Sequence, residues 1–186
     1  MGWLANILSY ASCWWFPCLV ALGSGVNMFT MVLGGVLAAM YVTAVLSRPK
    51  AWFIIAVLNA VGTVVGVAAV VYLVEQNGID WIKERFPKVF KSDQWKWVEN
   101  AVHHYGAPGV ILTSAAPIIL HPLIAFSMAA KMNNVVLVLC IFVGRVLKYS
   151  IMAKFALQAP HLLKYFGGQK LVDLVNSKKK AEGKQE

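Results

Sequence analysis

Polar residues in this chain are confined to short intervals between long apolar runs. No charged residue occurs before Arg48, Ala51 to Val74 is an uncharged run of 24 residues, and Ala101 to Ala130 contains histidines but no Asp, Glu, Lys or Arg. A bilayer core ~30 Å thick is crossed by about 20 apolar residues at ~1.5 Å each. Two or three stretches meet that length, which predicts an all-α integral membrane protein.

The interruptions set the elements. Trp3 to Leu46 is too long for one crossing, and Gly23-Ser24-Gly25-Val26-Asn27 interrupts it. Glycine and asparagine together favour a turn or unwound backbone. The pattern predicts an apolar helix to about Leu22, a break, and a second helix from Met28 to Leu46. Ser47 to Lys50 is a short polar loop, and Ala51 to Val74 is a full span ended by Asn77-Gly78. Ala107 to Ala130 is a further apolar stretch, broken at Pro117 and again at Pro122. Lys131 to Asn134 is a polar turn, and Val135 to Leu157 forms the last long helix.

The order of parts repeats. A broken apolar segment, a polar turn and an unbroken helix occur in 3–74 and again in 107–157. Interrupted segments at corresponding places in two halves point to a transporter-like inverted repeat. Asn27 stands in the first break, and Pro117, His121 and Pro122 in the second.

Ile79 to Tyr105 differs in kind. Trp81, Phe86, Trp95, Trp97 and other apolar residues are interleaved with Lys83, Arg85, Lys88, Lys91 and Lys96. That composition predicts two short amphipathic helices in the headgroup layer, split near Pro87. Residues 160–176 read as a further amphipathic helix, and 177–186 as a disordered lysine-rich tail. The expectation is a single membrane domain over 1–176. The Met-Gly-Trp start has no basic region resembling a cleavable signal.

The formal charge is +9, and its placement matters more than its size. Residues 48–99 carry seven basic and five acidic side chains, whereas 131–154 carry Lys131, Arg145, Lys148 and Lys154 with no acid. A basic membrane protein faces anionic lipid headgroups. No nucleic-acid-binding motif accompanies the charge, so nucleic acid is not expected as a partner. Cys13, Cys18 and Cys140 lie in apolar surroundings without metal-ligand spacing. They read as buried reduced thiols, with palmitoylation of Cys13 or Cys18 as the alternative.

Candidate chemistry is sparse. Asn59, Gly62, Thr63 and Gly66 fall at i, i+3, i+4 and i+7 on one helix face, suited either to close helix packing or to lining a groove. Arg145, Lys148, Tyr149 and Met152 repeat that spacing on the last helix. Cations at membrane depth are expensive and are usually functional or snorkelled. Asp and Glu are absent from 1–74 and from 100–172. Arg145 and Lys148 therefore look to backbone carbonyls, to the interface, to a partner chain, or to a lipid phosphate. Adjacent histidines on a helix point about 100° apart, so His103-His104 would rarely ligate one ion together, and no metal is expected. His121 can be buried uncharged, either bonding carbonyls freed by the prolines or acting in gating or proton exchange. No nucleophile–base pair, phosphate loop or dinucleotide fingerprint is present. An enzyme or a cofactor is not expected.

Taken in order, these motifs resemble the DedA superfamily, also called the VTT or SNARE-associated Golgi protein family, over about residues 17–157. The first element is the GSGVN break followed by Leu33-Gly34-Gly35-Val36-Leu37-Ala38. The second is Asn59-Ala60-Val61-Gly62 with Gly66, similar to an Asn-x-x-Gly-x-x-x-Gly helix. The third, His104-Tyr105-Gly106 and then Pro117-Ile118-Ile119-Leu120-His121-Pro122-Leu123, resembles the YqaA-like branch. There a proline is followed four and five residues later by Asp-Pro. The last is Gly144-Arg145-Val146-Leu147-Lys148-Tyr149, close to Gly-basic-x-x-Arg-Tyr.

The resemblance implies two re-entrant hairpins meeting near mid-membrane and movement of phospholipid or polyprenyl phosphate between leaflets, by a scramblase or translocase. The chain departs from the pattern at three places. Ser24 to Asn27 stand where the first hairpin usually has an acid, His121 replaces the Asp before the second proline, and the second hairpin lacks its common arginine. Passive movement of lipid fits these losses better than carboxylate-driven proton coupling. The alternative is a non-transporting accessory or scaffold subunit of a larger membrane complex. Partners would then be lipids, further copies of the chain, or other subunits, in a bacterial inner membrane or a eukaryotic endomembrane or organelle membrane.

Overall fold

The computed structural model of the chain describes residues 13–30, 33–85, 87, 93–116 and 120–158. Among them all regular structure is helical: α1 (Phe16–Thr30), α2 (Gly34–Ser47), α3 (Trp52–Asn77), α4 (Ile79–Arg85), α5 (Asp93–Tyr105), α6 (Ala107–Ala115), α7 (Leu120–Ala129) and α8 (Asn134–Gln158). A 3-10 turn at Pro49–Ala51 leads into α3. The two long helices have 26 and 25 residues, about 38 Å each at ~1.5 Å per residue. Both are long and apolar enough to cross a membrane.

Local chemistry explains where the helices end. Gly78 adopts φ 85°, a left-handed conformation that costs glycine little, and its N–H bonds the Val74 carbonyl at 2.8 Å to close α3. Gly106, at φ 56°, likewise reverses the chain between α5 and α6. The Asn133 side chain accepts the Val135 N–H at 2.9 Å and caps the start of α8.

The breaks differ from the sequence expectation. GSGVN does not interrupt α1, which runs through it to Thr30, and the chain next enters a helix at Gly34. The reason is packing. A side chain on Gly25 would lie 2.7 Å from the Gly62 carbonyl oxygen on α3, and one on Gly62 would strike the Ala21 backbone. These glycines let two helices touch, and that contact outweighs the ~1 kcal/mol each costs inside a helix. Asn27 lies within the last turn of α1, yet it still serves the turn: its Oδ1 accepts the Leu33 N–H at 3.0 Å.

In the second broken segment the break falls after Ala115, and Pro117 lies outside the described residues. Pro122 makes no second break. It is the third residue of α7, in a first turn where a missing N–H leaves no bond unmade. Helices α4 and α5 lie on either side of residues 86–92. The expected amphipathic helix at 160–176 and the tail lie outside the described residues. Of the cysteines only Cys140 is buried; Cys18 is exposed and Cys13 half-buried, because the apolar character of α1 continues around its outer face.

Packing brings the halves together. Helix α1 lies along α3, α6 lies along α8, and α3 packs on α8. In the second pair Gly144 of α8 meets Ser114 and the Ile111 carbonyl of α6. Its role matches that of Gly62 and Gly66 against α1. Two apolar clusters fill the interior. One joins Val67 to Val74 of α3 with Leu123, Ile124, Leu137 and Ile141. The other joins Ile55 and Ala56 of α3 with Phe16, Tyr41, Ala153 and Ala156. The start of α3 thus meets the end of α8, so the long helices run antiparallel. Only 28% of the most apolar stretch of α8 is buried within the protein, and half of that of α3.

Candidate functional site

Between the two clusters, at mid-length of both long helices, lies a cavity of about 240 Å³. Helix α3 passes from the second cluster at Ile55-Ala56, through Asn59 and Thr63 on the cavity wall, to the first cluster at Val67. Helix α8 does the same in reverse: Leu137 to Ile141 in one cluster, Arg145, Lys148 and Tyr149 on the wall, then Ala153 and Ala156. The remaining wall comes from three shorter helices. Ser24, Asn27 and Met28 belong to the second half of α1, Gly34, Leu37, Ala38 and Tyr41 to α2, and Leu120 and His121 to the first turn of α7.

Hydrogen bonds knit the wall across elements. Ser24 Oγ donates to Asn59 Oδ1 at 2.8 Å, linking α1 to α3. The Thr63 hydroxyl donates to the Asn59 carbonyl one turn back, at 3.0 Å. Its single proton is thereby used, so in the 3.1 Å contact with Tyr149 the phenol is the donor. The Tyr41 hydroxyl donates to the Tyr149 carbonyl at 2.8 Å, and the two rings pack 5.1 Å apart. His121 Nε2 donates to the Met28 carbonyl at 2.7 Å. Met28 is among the last four residues of α1, whose carbonyls lack partners within the helix, so His121 caps the end of a helix in the other half.

The cations are arranged differently from one another. Arg145 is 6% exposed, forms no ion pair among the described residues, and has an Nε without a hydrogen-bond partner. Lys148, one turn on, is half-buried on the same wall. Lys154 leaves the cavity altogether: it is exposed, with its Nζ 5.8 Å from the centre of the Trp52 ring at the start of α3. That is snorkelling, assisted by a cation–π contact.

Of the residues singled out from sequence, the fold brings Asn27, Asn59, Thr63, His121, Arg145, Lys148 and Tyr149 to one cavity. It separates two of the four members of the Asn59 face. Gly62 and Gly66 turn to the α1 seam and border an apolar groove on its outer side, about 420 Å³, with Leu22, Val26, Val61 and Val65. Pro122 is buried in α7 but does not line the cavity. Among the described residues no group of three His, Cys, Asp or Glu could hold a metal. His103 and His104 are exposed on the last turn of α5.

Ser24 and Tyr41 belong to the site without having been legible as site residues. Ser24 was hidden in a stretch that reads as a turn. Tyr41 carried a signal, since a lone phenol in an apolar helix needs a partner for its hydroxyl.

Comparison with family models, with curated proteins and with solved structures finds no match.

Proposed function

We propose that the chain is an integral membrane protein in which two broken-helix repeats enclose a basic cavity. The cavity binds the phosphate of a lipid headgroup and passes it between leaflets, as a scramblase or translocase does. The observation that carries this reading is Arg145: a guanidinium buried in the cavity wall, without an acid beside it among the described residues. A buried cation is strongly destabilising unless an anion meets it. Phosphate is the anion a membrane supplies, and it matches the guanidinium fork.

Three further features support it. Leu22, Ile54, Val65, Leu112, Val135 and Phe155 are exposed on the outside of the helices, an apolar surface suited to lipid tails rather than water. With the long helices spanning antiparallel, the cavity lies near the bilayer midplane, where transporters with broken helices bind substrate. Helix α7 starts at the cavity, so the partial positive charge of a helix N-terminus adds to the two cations. The recurring order of broken pair and long helix, and the order of motifs, favour membership of the DedA/VTT superfamily. Among the described residues the cavity wall holds no carboxylate, which favours passive exchange over proton coupling.

Reconstitution into liposomes with fluorescent phospholipid, followed by bleaching of the outer leaflet, tests the proposal. Exchange above protein-free vesicles is expected, and its absence for every phospholipid would falsify it. The bare Arg145 supports one other reading, a non-transporting subunit whose partner supplies the acid. A complex of fixed stoichiometry surviving mild detergent, with no lipid exchange, would favour that reading.

A further inference from the structure

The cavity has a polarity as well as a size. Among the described residues its two ionic groups, Arg145 and Lys148, have the same sign, and no Asp or Glu lines it. The Asn59 amide and the phenol and threonine hydroxyls have already used hydrogen bonds in a way that limits what they offer. Asn59 accepts from Ser24 through Oδ1, which leaves its amide N–H2 as the group it presents. The hydroxyl protons of Tyr41, Tyr149 and Thr63 all go to protein oxygens, so the phenols offer a ligand only their oxygens. The two tyrosine rings pack against each other rather than standing apart as a cage for an ammonium.

Resting on the reading of this cavity as a phosphate site, we infer that it selects headgroups joining phosphate to neutral hydroxyls, as in glycerol- or inositol-type esters. It rejects headgroups that pair phosphate with an ammonium, such as choline or ethanolamine. The phosphate sits against Arg145 and Lys148 with the Asn59 amide as a further donor, and the headgroup hydroxyls donate to the phenol oxygens. A zwitterionic headgroup brings a third positive charge into a wall with two, and no carboxylate is there to receive it. Charge of the wrong sign is how binding sites exclude a competitor that otherwise fits.

Binding to the purified full chain in neutral detergent tests this, with dihexanoyl phosphatidylglycerol, dihexanoyl phosphatidylcholine, sn-glycerol 1-phosphate and inorganic phosphate as probes. Phosphatidylglycerol should bind at least tenfold tighter than phosphatidylcholine. That preference should fall below twofold in Arg145→Gln/Lys148→Gln, and fall in Asn59→Asp, which places an acid in the wall. It should survive in Lys131→Gln, which removes an exposed cation outside the cavity. Equal binding of the two lipids, or a preference that persists in the double variant, overturns the inference. If the double variant does not fold, Asn59→Asp decides: an unchanged preference overturns it. Glycerol 1-phosphate binding as tightly as the lipid, through the same two cations, upholds the selectivity but shows a free phosphate ester as the ligand. That outcome counts against lipid movement, so the two proposals fail separately.

Discussion

His121 Nε2 donates to the main-chain oxygen of Met28, 93 positions earlier, at 2.7 Å. One bond thus joins the first turn of α7 to the last turn of α1, where the two broken segments meet. Replacing His121 by Leu leaves the Met28 carbonyl buried without that donor, at a cost of about 1–3 kcal/mol. A lower melting temperature in detergent is expected, with faster amide hydrogen exchange in α1 than in α5. His121→Gln, which keeps an N–H donor, should recover part of the loss. An unchanged melting temperature for both variants would show that the bond holds nothing together.

The α1–α3 seam depends on missing side chains. Gly62→Leu drives atoms into the Ala21 backbone, and overpacking of this kind costs about 1–3 kcal/mol or more. Gly35 is the matched control, since a methyl there meets nothing within 4 Å. Gly35→Ala should be neutral or stabilise by up to ~1 kcal/mol through helix propensity. Melting of the two variants side by side distinguishes a packing role from a general dislike of substitution.

Arg145 is expected to bind at the expense of stability. Arg145 has no acid beside it among the described residues, so Arg145→Met should leave the ligand-free protein as stable as wild type or more so, since it removes a buried ion whose desolvation costs several kcal/mol. The same variant should lose phosphate-lipid binding. Marked destabilisation in ligand-free detergent would mean that the guanidinium is a structural element.

Tyr149, Thr63 and Asn59 form a directed chain of hydrogen bonds between α8 and α3. Tyr149→Phe and Thr63→Val should each cost about 1 kcal/mol, and together less than the sum, because they remove the same bond. Strict additivity in a double-mutant cycle would argue against the bond.

Cys18 reports on what surrounds α1. It is exposed and borders the apolar groove. In liposomes it should react with a membrane-permeant maleimide and resist a charged, impermeant one, whereas Cys substituted at exposed Lys50 should take the impermeant label from its own side. Rapid labelling of Cys18 by the impermeant reagent would place this face in water.

Much of the site was legible because its residues are chemically conspicuous. Arg145 and Lys148 stand out in a long apolar run, Asn59 and Thr63 are polar at helical spacing, and His121 is the lone ionisable group in its segment. What could not be read was partnership. The glycines of GSGVN have the composition of a turn, and only the neighbouring α3 backbone makes a continuous helix the better solution. Pro122 looks like a breaker until the helix start is known, because a first-turn proline costs nothing.

The lengths of the apolar runs and the positions of charge determine by themselves that this chain forms helices, two of them long enough to span a bilayer, with cations and no acids in the last. Such properties follow from local propensity and from the energy of burying charge, and need no knowledge of neighbours. Tertiary structure decided that Ser24 bonds Asn59, that His121 caps α1, that Lys154 leaves the cavity while Arg145 stays, and that Gly62 and Thr63, one residue apart, face different surroundings. Those relationships include bonds between residues 35 and 93 positions apart, or divide neighbours on one helix, and depend on how helix faces pack.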